Sequence, residues 1–409
     1  MTQQDRPATA PPAAAQDRAR LPFAGLRVLD VSQGISGPYC AHILWQQGAD
    51  VVKVEPPAGD WARGMGILRE GTSSLAIAFN GGKQAICVDA TQPQGREVLQ
   101  RLAAEADVII ENFRPGVAAR LGLDAAVMRA ARPELIFVSI SGYGTHGPYA
   151  GAPATDSVVQ ADAGLMFCNR GSDSVPRKIG VYLADVNSGL YAAQAVGAAL
   201  YRRATGGEGA HIELNLFETC AATLVCNFVE HAMEPQRETM PIVAASAPNG
   251  TFEASDGSIN LVTLNNEQFV RVCQALGQPQ WADEPRFADP SSRLANAQAI
   301  TALIAGVMKA LPVAHWSERF RQFDVLHAPV RSFSQCVDHP QARHLGTFES
   351  LAQPGIGTVA WAGTPVRSLR RPIEAAPMVG EHTDAVLSRA GFSEQQRQDL
   401  ARSGVTRQR

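Results

Sequence analysis

The sequence predicts an α/β chain with a large doubly wound, Rossmann-like domain plus a smaller α+β domain. Three observations carry that expectation. Short, apolar, β-prone runs alternate with helical text through the first half, the pattern of a largely parallel sheet with helices on both faces. Near residue 245 the text changes to a hairpin followed by helices. After about 340 it becomes strand and loop punctuated by Pro and Gly, closing with a helix at HTDAVLSRAG.

The elements follow in order. Residues 1–20, MTQQDRPATAPPAAAQDRAR, are rich in Ala and Pro, lack the apolar core of a secretory signal and read as a disordered tail. RVLDV is a short buried strand, SGPYCAHILWQQG a helix and DVVKVE the next strand. In such a βαβ unit the polar turn at 32–38 is where a ligand would sit. QAICVD is a strand, PQGREVLQRLAAEA a helix, and DVIIENF and LIFVSIS are strands. VNSGLYAAQAVGAALYRRA, 186–204, is a small-residue helix stopped by Gly206-Gly207-Glu208-Gly209. HIELNLFETCAATLVCNFVEHAM reads as a strand entering one long apolar helix. The large α/β domain is thus expected over 21–224. A small domain at 225–335 holds a hairpin turning at Asp256-Gly257 and helical text from 266 to 323, broken by DEPRFADPSSR. Segment 336–409 returns to the large domain.

The 409 residues are 45% hydrophobic and 18% charged, enough for a sizeable core and about two domains. A net charge of −3 offers no basic field for nucleic acid, and no run of roughly 18 apolar residues reads as a membrane span. Seven cysteines, at 40, 87, 168, 220, 226, 273 and 336, include no CxxC pair. They read as free, mostly buried thiols of a reducing cytoplasm, with Cys220 and Cys226 in a helix core. His339 and His344 are wrongly spaced for a zinc pair, and neither HExxH nor GxSxG occurs, so no metal centre or serine hydrolase is expected.

LIFVSISGYGTHGPYAG holds Gly142-x-Gly144-x-x-Gly147 after a strand. A dinucleotide loop needs a helix to begin at its third glycine, but Pro148, Gly151 and Pro153 follow, so the spacing alone does not make one. Close approach of backbone to a ligand, or a sharp turn, explains the glycines better.

Five segments stand together in order: GLRVLDVSQGISGPYCAHILWQQGADVVKVEPPAGD, ENFRPGVAARLGL, SISGYGTHGPYAGAPATD, LADVNSGLYAAQAVGAAL and VGEHTDAVL. Over about 22–395 the chain resembles the class III CoA-transferases, the family of formyl-CoA:oxalate and carnitine-linked CoA-transferases. The resemblance implies a homodimer in which each ring-shaped subunit is threaded through the other. It also implies CoA thioesters as substrates with no permanently bound cofactor, and a nucleophilic aspartate at Asp185. A carboxylate just before a helix starting near Asn187 would be kept ionised by the helix dipole, and the same N–H groups, with Gly189, could hold an acyl oxyanion. An N-cap role for Asp185 is compatible with this. The resemblance further implies a CoA groove at Asn112, Phe113, Arg120 and Leu121. Arg114, Lys83 and Arg63 are candidate phosphate contacts, and Tyr143 and Gly144 would lie beside the thioester.

Where related α-methylacyl-CoA racemases use a His-Asp pair, this chain has Thr155-Asp156, so a racemase lacks its second base. A tetraglycine lid is replaced by AASAPNGTF (244–252), and Ile35 stands where oxalate enzymes place a glutamine. These departures point to a larger acceptor, a four- or five-carbon dicarboxylate with succinyl-CoA as donor. A racemase of the same fold and a non-catalytic CoA-binding protein are the alternative readings.

Overall fold

A seven-stranded sheet organises the larger unit in a computed structural model that describes residues 21–171, 173–236 and 246–408. The 1–20 tail and the first two residues of the 244–252 loop lie outside those residues. The strands are β1 (Arg27–Asp30), β2 (Asp50–Glu55), β3 (Gln84–Val88), β4 (Val108–Glu111), β5 (Ile136–Ser141) and β6 (His211–Asn215), all parallel, with a C-terminal strand, Thr406–Arg407, antiparallel against β3. Their spatial order, 3-2-1-4-5-6, reverses between β1 and β4. Ligands of doubly wound sheets bind at such a reversal, beyond the carboxyl ends of the strands.

Alternation along the strands explains the layering. Val28, Val51, Val108, Ile110, Val138 and Ile140 enter one core, while Leu29, Val54, Ile86, Ile109 and Phe137 enter the other. On the first face lie α1 (Ser36–Gln46), α4 (Asp156–Asp162), α5 (Leu183–Ala204) and α6 (Leu216–Thr223). On the second lie α3 (Pro93–Glu105) and two helices near the C-terminus, Thr383–Arg389 and Glu394–Arg402; α2 (Ser74–Asn80) packs against α1. Helix α1 is buried along almost its whole length, and Pro38 sits in its first turn, where no N–H is required.

Gly189 decides how closely α1 and α5 pack. A Cβ there would stand 2.8 Å from the Ser36 carbonyl oxygen and 3.0 Å from the Tyr39 ring, so only a glycine lets the two helices meet. Asp185, one turn earlier on the same face, is thereby brought to the start of α1.

The chain divides into two compact units, 1–233 with 346–409, and 234–345. The sequence-based boundaries, 224 and 335, fall nine and ten residues earlier (233 against 224, 345 against 335). The helix Val225–Met233 groups with the larger unit and the helices Phe333–Val337 and Pro340–Leu345 with the smaller. The smaller unit pairs the expected hairpin, Asn249–Glu253 with Ser258–Val262, and adds His327–Pro329 as a third strand. The long apolar helix expected after β6 is two helices, broken at Leu224. Cys220 is buried, but Cys226 on the second helix is exposed, against expectation. No single helix among the described residues is long and apolar enough to cross a membrane.

Candidate active site

The turn from β1 into α1, at the sheet's reversal, is held at three successive residues. The Lys53 ammonium donates to the Ser32 carbonyl. Asn112, just beyond β4, accepts the Gln33 N–H at 2.7 Å and donates to the Gln33 carbonyl at 2.6 Å. Asp60 accepts the Gly34 N–H at 2.8 Å. Gly34 has φ +82°, and a Cβ there would lie 2.1 Å from the Trp61 ring, so the turn needs glycine on both counts. What the turn delivers is Ser36, first residue of α1 and 2% exposed.

Beneath the turn, charges are buried in balance. Lys83 donates to Asp30 (2.8 Å), the Pro38 carbonyl (2.8 Å) and Asn80 (2.9 Å). Lys53 pairs with Asp60 at 3.0 Å, and Arg63 grips Glu55 through two N–H groups at 2.7 and 2.9 Å. Burial works against ionisation of Asp30, yet the charges of Lys53 and Lys83 and hydrogen bonds from Lys83 and Ser32 hold it below the usual carboxylate range. Burial likewise opposes the charge on Lys53, and Asp30, Asp60 and Glu55 outweigh it, raising the pKa.

Asp185 has no such cationic partners among the described residues. It occupies the third position of α5, because the helix begins at Leu183 rather than near Asn187. It is half-buried, and Ser36 hydrogen-bonds its carboxylate. The expectation of a dipole-stabilised anion is corrected: the pKa is raised to about 7, first by burial and then by the charge of Asp156, with Ser36 offsetting only part. The N–H groups meant to stabilise it are taken, since Asp156 accepts those of Ala184 at 2.8 Å and Asp185 at 3.4 Å. Gly189 lies inside the helix against α1 and serves packing, not an oxyanion.

The sequence-based CoA contacts divide into two groups. Lys83 is corrected: 2% exposed, with three acceptors, it balances Asp30 and has no face for a phosphate. Arg63 is corrected too: its Nε and Nη2 are committed to Glu55 and to the Pro377 carbonyl. Ile35, 2% exposed, packs in an apolar cluster with Ala62, Leu75, Phe79 and Val186, so it supports the turn instead of facing a substrate. Asn112 spends its amide on Gln33. Phe113 and Leu121 are half-buried against the second core, leaving part of each open at the strand end. Arg114 and Arg120 are exposed beside them and form no ion pair among the described residues.

Tyr143 and Gly144 follow β5. Gly144 has φ +92° and donates to the Ser141 hydroxyl at 2.9 Å, while Gly142 fits because a Cβ would clash with Ala154 at 2.1 Å. No helix starts before Asp156, so the glycines form a turn and no pyrophosphate loop. Tyr143 lines an open cleft of about 660 Å³ with Ser157, Val158, Ala161 and Asp162, on the outer side of α4. A cavity of about 570 Å³, lined by Trp45, Gln84, Gln353, Glu374 and His382 among others, lies at the amino ends of β2 and β3, the edge of the sheet opposite Asp185. No cluster of metal-ligating side chains occurs among the described residues.

Sequence reasoning missed Ser36, the capping by Asp156 and the charge cluster. The cluster had a signal: a lysine amid valines in DVVKVE, on a strand buried on both faces, must be paired. Ser36 had none.

The model of CoA-transferase family III matches residues 23–383. The chain is 33% identical to an acetyl-CoA:oxalate CoA-transferase of Acetobacter aceti, over 78% of this chain and 83% of that protein. It is 32% identical to a succinate–glutarate CoA-transferase of Agrobacterium fabrum, over 90% and 95%. The crystal structure of a CAIB/BAIF family protein from Brucella suis superposes with a TM-score of 0.81 at 32% identity, covering 90% of this chain and 99% of that one.

Proposed function

The chain belongs to CoA-transferase family III, and from that premise we propose that it moves CoA from an acyl-CoA to a small dicarboxylate through a covalent intermediate on Asp185. The observation that carries this reading is Asp185 itself: a half-buried carboxyl with no cation beside it among the described residues, held by Ser36 where the sheet reverses.

The Asp185 oxygen attacks the thioester carbon and the C–S bond breaks, giving an anhydride and CoA thiolate. The thiolate attacks the Asp185 carbonyl carbon, and the donor acid leaves as a carboxylate. The acceptor carboxylate then attacks the aspartyl-CoA thioester, and the steps reverse to the new acyl-CoA and a free Asp185. A carboxyl with pKa near 7 is a stronger nucleophile than an ordinary aspartate, and near neutral pH a large fraction is still ionised. Arg114 and Arg120 are the exposed cations placed to meet CoA phosphates, and Tyr143 and Gly144 flank the acyl end.

Succinyl-CoA as donor and a four- or five-carbon diacid as acceptor fit the relatives named for succinate, glutarate and oxalate. The enzyme works as a homodimer in the cytoplasm. Tyr201, Phe217, Val225, Phe228, Val229 and Met233 are exposed apolar side chains of the larger unit that a second copy would cover. Thr155, which cannot serve as a base, stands against α-proton exchange.

A mass-spectrometric screen of succinyl-, acetyl- and formyl-CoA against small mono- and dicarboxylates tests the reading. New thioesters are expected with dicarboxylates, none from Asp185→Ala, and no deuterium uptake into 2-methylacyl-CoA. A fully active Asp185→Ala enzyme would refute it.

A further inference from the structure

Asp156, the first residue of α4, is a carboxylate only 4% exposed, with no cation against it among the described residues. Its Oδ1 accepts the Ala184 and Asp185 N–H groups at 2.8 and 3.4 Å, and its Oδ2 accepts from the Gln160 amide at 2.7 Å. Gln160 in turn accepts the Ile179 N–H and donates to the Val181 carbonyl, both at 3.1 Å. One helix thus supplies two side chains that hold the whole entry into α5. The positive end of that 22-residue helix is already occupied by a negative charge.

Around the Asp185 carboxyl, α4 contributes Asp156 and α1 contributes the Ser36 hydroxyl. Cys220 of α6 feels both acids, and its thiol is pushed up to about 11, first by burial, so it stays neutral. Tyr39 of α1, against Gly189, is raised by burial and is neutral too. Asp156 is therefore the charged group that faces the nucleophile.

We propose that Asp156 is a positioning residue that favours covalent capture: it caps the turn bearing Asp185, and its charge disfavours the free Asp185 carboxylate relative to the neutral acylated forms. The proposal rests on Asp185 being the nucleophile. In the first step the negative charge passes from Asp185 to the CoA sulfur as the C–S bond breaks. In the second it leaves on the donor carboxylate. Both covalent states of Asp185 are uncharged, so the opposition between the two acids ends on acylation.

The test is quenched-flow mass spectrometry of the full-length enzyme with succinyl-CoA, following the adduct on the Asp185 peptide from about pH 5 to 9. Wild type should acylate with a midpoint near 7. Asp156→Asn keeps an oxygen for the Ala184 N–H and removes the charge. Its midpoint should fall by about one unit or more, and the equilibrium ratio of acylated to free enzyme by about tenfold per unit. Asp156→Ala should show the same shift with an additional loss of rate that Asn restores. If the alanine variant does not fold, the asparagine variant and the wild-type pH profile carry the test. An unshifted midpoint and ratio in Asp156→Asn would overturn the proposal and leave the nucleophile in place. A wild-type adduct on a residue other than Asp185 would remove both.

Discussion

Asp30 and Asp185 stand on either side of one turn, both withdrawn from water, and their chemistry is opposite. Asp30 is sealed beneath the turn with Lys53 and Lys83 at hand, and is held ionised and inert. Asp185 sits above it with another carboxylate for a neighbour and only a hydroxyl in support, and its pKa rises to about 7. Burial is common to both, so it cannot be what separates them. The neighbouring charge decides, holding one buried acid ionised and raising the pKa of the other.

The comparison breaks most severely at Lys53→Met. That change leaves Asp30 and Asp60 without their shared cation and should destabilise the fold by about 3–5 kcal/mol, read by urea unfolding. Gly189→Ala drives a methyl against the Ser36 carbonyl and should cost about 1–3 kcal/mol, with a fall in kcat, because it pushes Ser36 away from the helix that carries Asp185. Asp185→Asn tests the sign of the linkage. A folded-state pKa raised from the ordinary value near 4 to about 7 means wild type loses stability as pH rises through that window. The asparagine variant should therefore have the higher Tm at pH 8 and lose that advantage near pH 4. Ser36→Ala removes the hydrogen bond that offsets burial, so the acid limb of kcat/KM should move to higher pH, for a loss of about two- to threefold at pH 7. Arg120→Ala, on an exposed cation, should raise KM for the acyl-CoA by about two- to fivefold and leave kcat unchanged.

The parallel sheet was legible because its strands are short, apolar and separated by helical text, whereas Asp185 was singled out only through the resemblance of its segment. The start of α5 was misplaced by four residues, since Leu183 and Ala184 carry no stop or start signal of their own. The ionisation of Asp185 was misjudged because a helix dipole acts only where its N–H groups are free, and Asp156, 29 positions away in sequence, occupies them. Lys83 and Arg63 were singled out as phosphate contacts, and the structure pairs both with buried carboxylates instead. Asp30, the counter-ion of Lys83, is 53 positions away and only the fold brings it close, whereas Glu55 stands eight positions before Arg63. Cys226 looked like core because its helix is apolar, yet that helix turns Val225, Phe228 and Val229 outward.

Trapping the acylated enzyme with hydroxylamine after addition of succinyl-CoA, followed by peptide mapping, bears most directly on the claim that Asp185 is the reactive acid. A hydroxamate confined to Asp185, and formed faster as pH rises through 7, is the predicted result. A hydroxamate at Asp30 or Asp156, or none while CoA transfer proceeds at full rate, would contradict it.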